Sequence, residues 1–286
     1  MHKLCIIGRT SILKSGLFLT FALACWSPSQ AQKILLTDAT YNRILSLNLT
    51  TGNIDELVVD NLGFPWRIFP DAGSGKMYWT NVDKNLIQRS ALDGSEVETL
   101  AVVTYPQGIV VDSKKGYIYV AEAGTPQILR FNMKGGDETV LMDDQLLDPD
   151  DIHLDAENQL LFWIDLGLGG IWRSTTEGKK RIALTEGIAT AMALDSKKKL
   201  VYWINNEAGE VYAMNYLGKE SKRVFAGTGR GFSGLAIDEM GDCLFWVDMD
   251  KGVVQKLELK TGAVTDYEID LPGNFHYGIA YWPSKK

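Results

Sequence analysis

Apolar residues in this chain come in short runs, each closed by Gly, Asp, Asn or Ser. Gly108-Ile109-Val110-Val111-Asp112 is one such run, ending on a turn residue. After Ser113 to Gly116 comes Tyr117 to Val120, aromatic and β-branched, then Gln127 to Asn132. A Lys134-Gly135-Gly136 turn leads on to Glu138 to Met142. Runs of this composition between turn residues predict short strands, and the glycine pair predicts a hairpin. Nowhere do twelve consecutive residues carry a helical period with caps, so an all-β chain is predicted.

The runs repeat. Six tetrads pair an aromatic or apolar dipeptide with a small or branched residue, then an acid or amide. They are Leu35-Leu36-Thr37-Asp38, Tyr78-Trp79-Thr80-Asn81, Tyr119-Val120-Ala121-Glu122, Phe162-Trp163-Ile164-Asp165, Tyr202-Trp203-Ile204-Asn205 and Phe245-Trp246-Val247-Asp248. Their second residues stand 43, 41, 43, 40 and 43 apart. Gly52, Gly94, Gly135, Gly178, Gly218 and Gly262 follow at offsets of 15 or 16. Two landmarks held in register, with four strands per unit and no helix, predict the blades of a six-bladed β-propeller. Lys33 to Asp38 matches the second strand of a unit and Gly278 to Trp282 the first. The chain ends are therefore expected to complete the sixth blade together, removing an open sheet edge.

These tetrads and their spacing resemble the YWTD, or class B, repeats of the low-density-lipoprotein-receptor family. A second family element matches Pro106-Gln107-Gly108-Ile109-Val110-Val111-Asp112, recurring as Pro149 to Asp155 and as Gly234 to Asp238. The resemblance covers residues 32–286 and implies the propeller. Leu35-Leu36 and Tyr119-Val120 depart from it by lacking the tryptophan. The flanking modules of animal receptors are not expected here, so a stand-alone bacterial protein is anticipated and the receptors' ligands are not carried over.

Residues 1–31 read as a signal peptide. Lys3, Arg9 and Lys14 give a basic start, Gly16 to Trp26 a short apolar run, and Ser29-Gln30-Ala31 a cleavage site before Gln32. A run this short suits a cleaved leader better than a transmembrane segment. Lipidation at Cys25 is the alternative, because Ala22-Leu23-Ala24-Cys25 loosely matches a lipobox. A periplasmic or secreted location follows. Without the leader, 36 acidic residues face 26 Lys plus Arg, a net charge of −10 that argues against nucleic acid as a partner. Cys243 alone remains, so packing and not a disulfide must hold the fold.

Most conspicuous residues read as structural. Trp79, Trp163, Trp203 and Trp246 are expected to wedge between blades. Asp38, Asp165, Asp248, Asn81 and Asn205 are expected to bond backbone of the neighbouring blade. Asp71, Asp112, Asp155, Asp195 and Asp238 should hold the turn after each innermost strand.

Function is sought where the repeat breaks its own rule. The innermost strands share a small residue at Gly108, Ala191, Gly234 and Gly278, where the other two units carry Arg67 and Asp151. Trp66, Asp150 and Tyr277 lie one position earlier, and His153 two positions after Asp151. Arg67 and Asp151 either seal the central opening or meet a partner. Tyr105, Arg230, Phe232, Phe275 and His276 fall on the same upper rim, an aromatic-plus-arginine mixture suited to a protein interface. The expected function is a monomeric binding platform for a protein or peptide, without catalytic residues or a cofactor. No nucleophile motif is present, His153 and His276 are the only histidines after residue 31, and Gly227 to Gly231 reads as a blade connection.

The rival reading is a hydrolase or lyase. Related six-bladed folds such as the gluconolactonase family hold one divalent cation on the axis, and the ligands here would be Asp150, Asp151, His153 and Glu122, with Asn205. Asp143, Asp144 and Asp148 make the same loop a candidate for Ca²⁺.

Overall fold

The computed structural model describes residues 32–60, 62–238, 241–269 and 278–282. The expected leader, Cys25, Phe275, His276 and Tyr277 lie outside these residues. All the regular structure described is β.

The first sheet takes β1 (Lys33–Asp38), β2 (Arg43–Asn48) and β3 (Ile54–Val58) from the start of the chain. The second holds β4 (Pro65–Asp71), β5 (Lys76–Asn81), β6 (Leu86–Ala91) and β7 (Glu98–Val102). The third holds β8 (Pro106–Asp112), β9 (Tyr117–Glu122), β10 (Gln127–Asn132) and β11 (Thr139–Met142). The fourth is β12 (Pro149–Asp155), β13 (Leu160–Asp165), β14 (Ile171–Thr175) and β15 (Ile182–Ala183). The fifth is β16 (Ala191–Asp195), β17 (Leu200–Asn205), β18 (Glu210–Asn215) and β19 (Lys222–Ala226). The sixth is β20 (Phe232–Ile237), β21 (Cys243–Asp248), β22 (Val253–Glu258) and β23 (Val264–Glu268). The last strand, β24 (Ile279–Trp282), pairs with β1, so the chain ends share a blade as the sequence predicts.

Neighbouring innermost strands touch in a closed cycle, β4 to β8, β12, β16, β20, β24 and back to β4. The architecture is a six-bladed β-propeller of antiparallel four-stranded blades. Each innermost strand starts at one rim, called upper here, and ends in a turn at the lower rim.

Tryptophans wedge the blades apart as expected. Trp79 is fully buried among Leu35, Ile44 and Val58 of the preceding blade. Trp163 lies against Val110, Tyr119 and Met142, and Trp246 against Tyr202 and Val211, in the same way. Each ring removes a large apolar area from water between two adjacent sheets.

One expectation is corrected. The carboxylates and amides ending the tetrads mostly cap their own turns: Asp38 Oδ1 accepts Thr40 N and Tyr41 N, Asp248 accepts Lys251 N, and Asn205 accepts Ala208 N. A short side chain at a strand end reaches the next turn easily. Asp165 meets the expectation, accepting Leu147 N and Asp148 N of the connection from the third blade as well as Leu168 N of its own turn. Further links between blades come from the third tetrad position. Thr37 Oγ1 donates to Trp66 O at 2.7 Å and accepts from Gly278 N, while Thr80 Oγ1 donates to Gln107 O at 2.6 Å. The lower-turn aspartates behave as expected and do more: Asp71 accepts Gly73 N and also Ser113 Oγ of the next blade. Asp155 likewise accepts Asn158 N and Lys199 Nζ across a blade boundary.

Candidate functional site

The upper end of the central channel is built by a local irregularity. In β4, β8 and β12 the ladder to the second strand skips between Pro65 and Ile68, Pro106 and Ile109, and Pro149 and Ile152. A bulge frees two residues from pairing and re-aims their side chains. The freed pairs are Trp66-Arg67, Gln107-Gly108 and Asp150-Asp151. Glycine is needed at 108, where an added methyl would lie 2.3 Å from Asp150 O.

Arg67 therefore crosses the axis. Its Nη2 lies 3.1 Å from Asp150 Oδ2, its Nε is 3.6 Å from Asp151 Oδ1, and Nη2 reaches Thr190 O of a third blade at 3.4 Å. Trp66 Nε1 donates to Asp150 Oδ1, and its ring lies under the Arg67 guanidinium and stacks on Phe64. Asp151 Oδ2 accepts Met192 N, and His153 Nε2 stands 3.2 Å from Asp151 Oδ1. Arg67, Asp150 and Asp151 are all at least nine-tenths buried.

The two carboxyls diverge. Burial works against ionising Asp151, but Arg67 and then His153 outweigh it and hold the carboxyl down to about 2. Burial raises Asp150 above the usual carboxylate range, with Arg67 opposing and Asp151 reinforcing the rise. Two acids on one guanidinium cannot both be compensated fully.

Below this cluster lies a cavity of about 390 Å³. Its lining runs from Arg67, Asp151 and Gly234 down to the turns at Asp71 to Gly73 and Ser196, so it opens on the lower rim. His153 lines it, whereas Asp150 and Trp66 do not.

The remaining sequence candidates separate. Tyr105 is half-exposed and Arg230 exposed, both on the upper rim. Phe232 is 1% exposed, packed on Phe225 and Trp246, and offers nothing to a partner. Glu122 accepts Thr104 N and pairs with the Gln127 amide, so its carboxylate belongs to a blade connection. Cys243 begins β21 half-buried, where burial raises its thiol.

A divalent cation does not fit this donor set. Asp150 and Asp151 already flank the Arg67 guanidinium, which stands where an axial cation would, and Glu122 is committed elsewhere. Among the described residues no three His, Cys, Asp or Glu side chains converge as metal ligands.

Sequence reasoning missed an apolar patch on the upper rim. Leu147, Leu166, Leu168 and Ile188 are each at least 40% exposed. Their loops abut: Leu166 N donates to Asp148 O, a methyl on Gly167 would lie 2.5 Å from Leu147 Cβ, and one on Gly169 would lie 3.7 Å from Gly187 O. Asp143, Asp144 and Glu186 are exposed around them. The glycines of Leu166-Gly167-Leu168-Gly169-Gly170 are the sequence signal, since they permit this close loop packing.

The family described as SMP-30/Gluconolactonase/LRE-like region matches residues 68–280. The vitellogenin receptor of Solenopsis invicta is 26% identical over 165 residues, which is 54% of this chain and 9% of the receptor. A chain in the crystal structure of a nidogen/laminin complex superposes with a TM-score of 0.78 at 19% identity, covering 87% of this chain and 98% of that one. Virginiamycin B lyase from Staphylococcus aureus, crystallised in an inactive form with quinupristin, gives 0.62 at 16% identity over 86% and 87%. At such identities the two solved structures share the fold. The receptor relative agrees with the YWTD resemblance of the tetrads.

Proposed function

This chain belongs to the SMP-30/gluconolactonase/LRE-like family, and we propose that it acts as an exported, monomeric binding propeller that holds a protein or peptide through its upper face. The observation carrying this reading is the patch of Leu147, Leu166, Leu168 and Ile188 on adjoining upper loops. Contiguous exposed apolar side chains with a polar margin are typical of interaction sites. The carboxylates of Asp143 and Glu186 near it favour a segment that presents an apolar side chain next to Lys or Arg, whereas Asp144 is paired with Arg181. The receptor relative and the nidogen/laminin neighbour support protein binding as a use of this fold, though only by analogy.

Selecting random peptides on the immobilised protein tests it. Enriched sequences should pair an apolar anchor with a basic residue, and should lose binding to Leu147→Asp/Ile188→Asp. Enrichment unaffected by that double substitution would overturn the upper-face reading.

The family description favours a second reading, hydrolysis of a lactone or similar ester. Its implied axial cation does not fit Arg67, Asp150 and Asp151, so the reading would require other chemistry. Turnover of a lactone panel, abolished by a substitution at His153, would raise it above the first.

A further inference from the structure

The cavity beneath the ion-pair cluster has no role in upper-face binding. We propose that it is a site for a small uncharged amphipath, an apolar body bearing one hydroxyl, which enters from the lower rim.

Size points first to a ligand. About 390 Å³ lies within the range of roughly 300–1,000 Å³ usual for small-molecule pockets, and holds about a dozen water-sized groups. Apolar side chains form much of the wall, with Ile109, Val110, Leu154, Ala236 and Ile279 from four of the blades. Arg67, Asp151 and His153 meet at the closed end, while Asp71 and Ser196 stand at the mouth, where water reaches them. An apolar sleeve ending in a few fixed polar groups selects a molecule with one polar head.

The head group follows from what the closed end leaves unmet. Arg67 Nε is buried and makes no hydrogen bond among the described residues, although both carboxylates compensate its charge. Its nearest acceptor, Asp151 Oδ1, is 3.6 Å away and too far for a good hydrogen bond, so an oxygen that came closer would gain there. An anionic head would supply that oxygen but would face Asp150 and Asp151. An ammonium would approach the guanidinium and has no acceptor to offer Nε. A hydroxyl accepts from Nε, keeps a proton to donate, and brings no charge. Because this mouth lies on the rim opposite Leu147, the site stands or falls independently of the partner proposed above.

Calorimetric titration of the purified protein with 1-octanol, octanoate and octylammonium compares three heads on one body. 1-Octanol should bind at least about tenfold more tightly than either ion, a difference the tenfold rule of binding free energy makes easy to read. Ala280→Phe, which fills the cavity from β24 without touching the cluster, should abolish that binding. If that variant does not fold, Leu154→Trp, at a half-buried position on another blade, narrows the same space and should weaken binding by about tenfold. Absence of 1-octanol binding, equal binding of an ion, or binding that survives the cavity-filling variant would overturn the proposal.

Discussion

Arg67 reaches Asp150 at 3.1 Å across the axis, although 83 residues separate them and the strand β8 lies between their blades. One side chain thus ties the second blade to the fourth, and through Thr190 O to the fifth. The pair is buried, so it is not an adaptable rim contact, and its removal has consequences for folding before any for binding.

Replacing Arg67 with Met should cost about 3–5 kcal/mol, because two carboxylates are then left buried beside each other. Adding Asp150→Asn and Asp151→Asn to the same chain should recover most of that loss. Urea unfolding of the single and triple variants measures both. A single variant as stable as wild type would mean that water compensates the carboxylates.

Asp151 makes stability depend on acid pH. Its folded value lies below the ordinary carboxylate value, so its contribution is present above about pH 4 and is lost as the pH falls toward 2. A shift from 3.8 to about 2 corresponds to about 2 kcal/mol. Asp150 is shifted upward and works in the opposite sense over the range above its ordinary value. The stability gap between wild type and Asp151→Asn should therefore shrink by about 1.5 kcal/mol between about pH 6 and about pH 2.5, the remainder going only as the pH passes below about 2. A constant gap would show that the carboxyl is not held low.

Thr37→Val removes the bond to Trp66 O and the acceptor for Gly278 N in one change. The expected loss is about 1–3 kcal/mol, since both partners stay in place unsatisfied. It should fall on ring closure, so hydrogen exchange should rise in β24 and β1 before the other blades. Uniform exchange across the ring would contradict this.

Two glycines separate close approach from backbone conformation. Gly108→Ala drives a methyl against Asp150 O at 2.3 Å and Ile152 N at 2.7 Å, backbone that cannot swing away. A loss of about 1–3 kcal/mol is expected, as for overpacking. Gly116→Ala has φ +77 and open space around it, so only the left-handed conformation is penalised, by about 1–2 kcal/mol. Shifted chemical shifts in β12 should accompany the first substitution and not the second.

The repeat was legible because it is local. Tetrads such as Tyr78-Trp79-Thr80-Asn81 and glycines at constant offset define strand, turn and blade without reference to distant chain. The matching of Lys33 to Asp38 with Gly278 to Trp282 even foretold how the ring closes. Arg67 and Asp151 stood out for the same reason, as large residues in a column of Gly and Ala. The threonine links were not legible, because Thr37 and Thr80 look like ordinary strand residues until the next blade supplies Trp66 O and Gln107 O.

What the sequence determined by itself was the blade, its number and its closure, since short-range patterning and turn chemistry suffice for these. Tertiary structure alone decided three things: which acid Arg67 meets more closely, that Phe232 faces the core, and that the channel opens downward. It also gathered Leu147, Leu166, Leu168 and Ile188 into one patch. Each depends on where bulges and loops from different blades converge, and nothing within a single repeat encodes that distance.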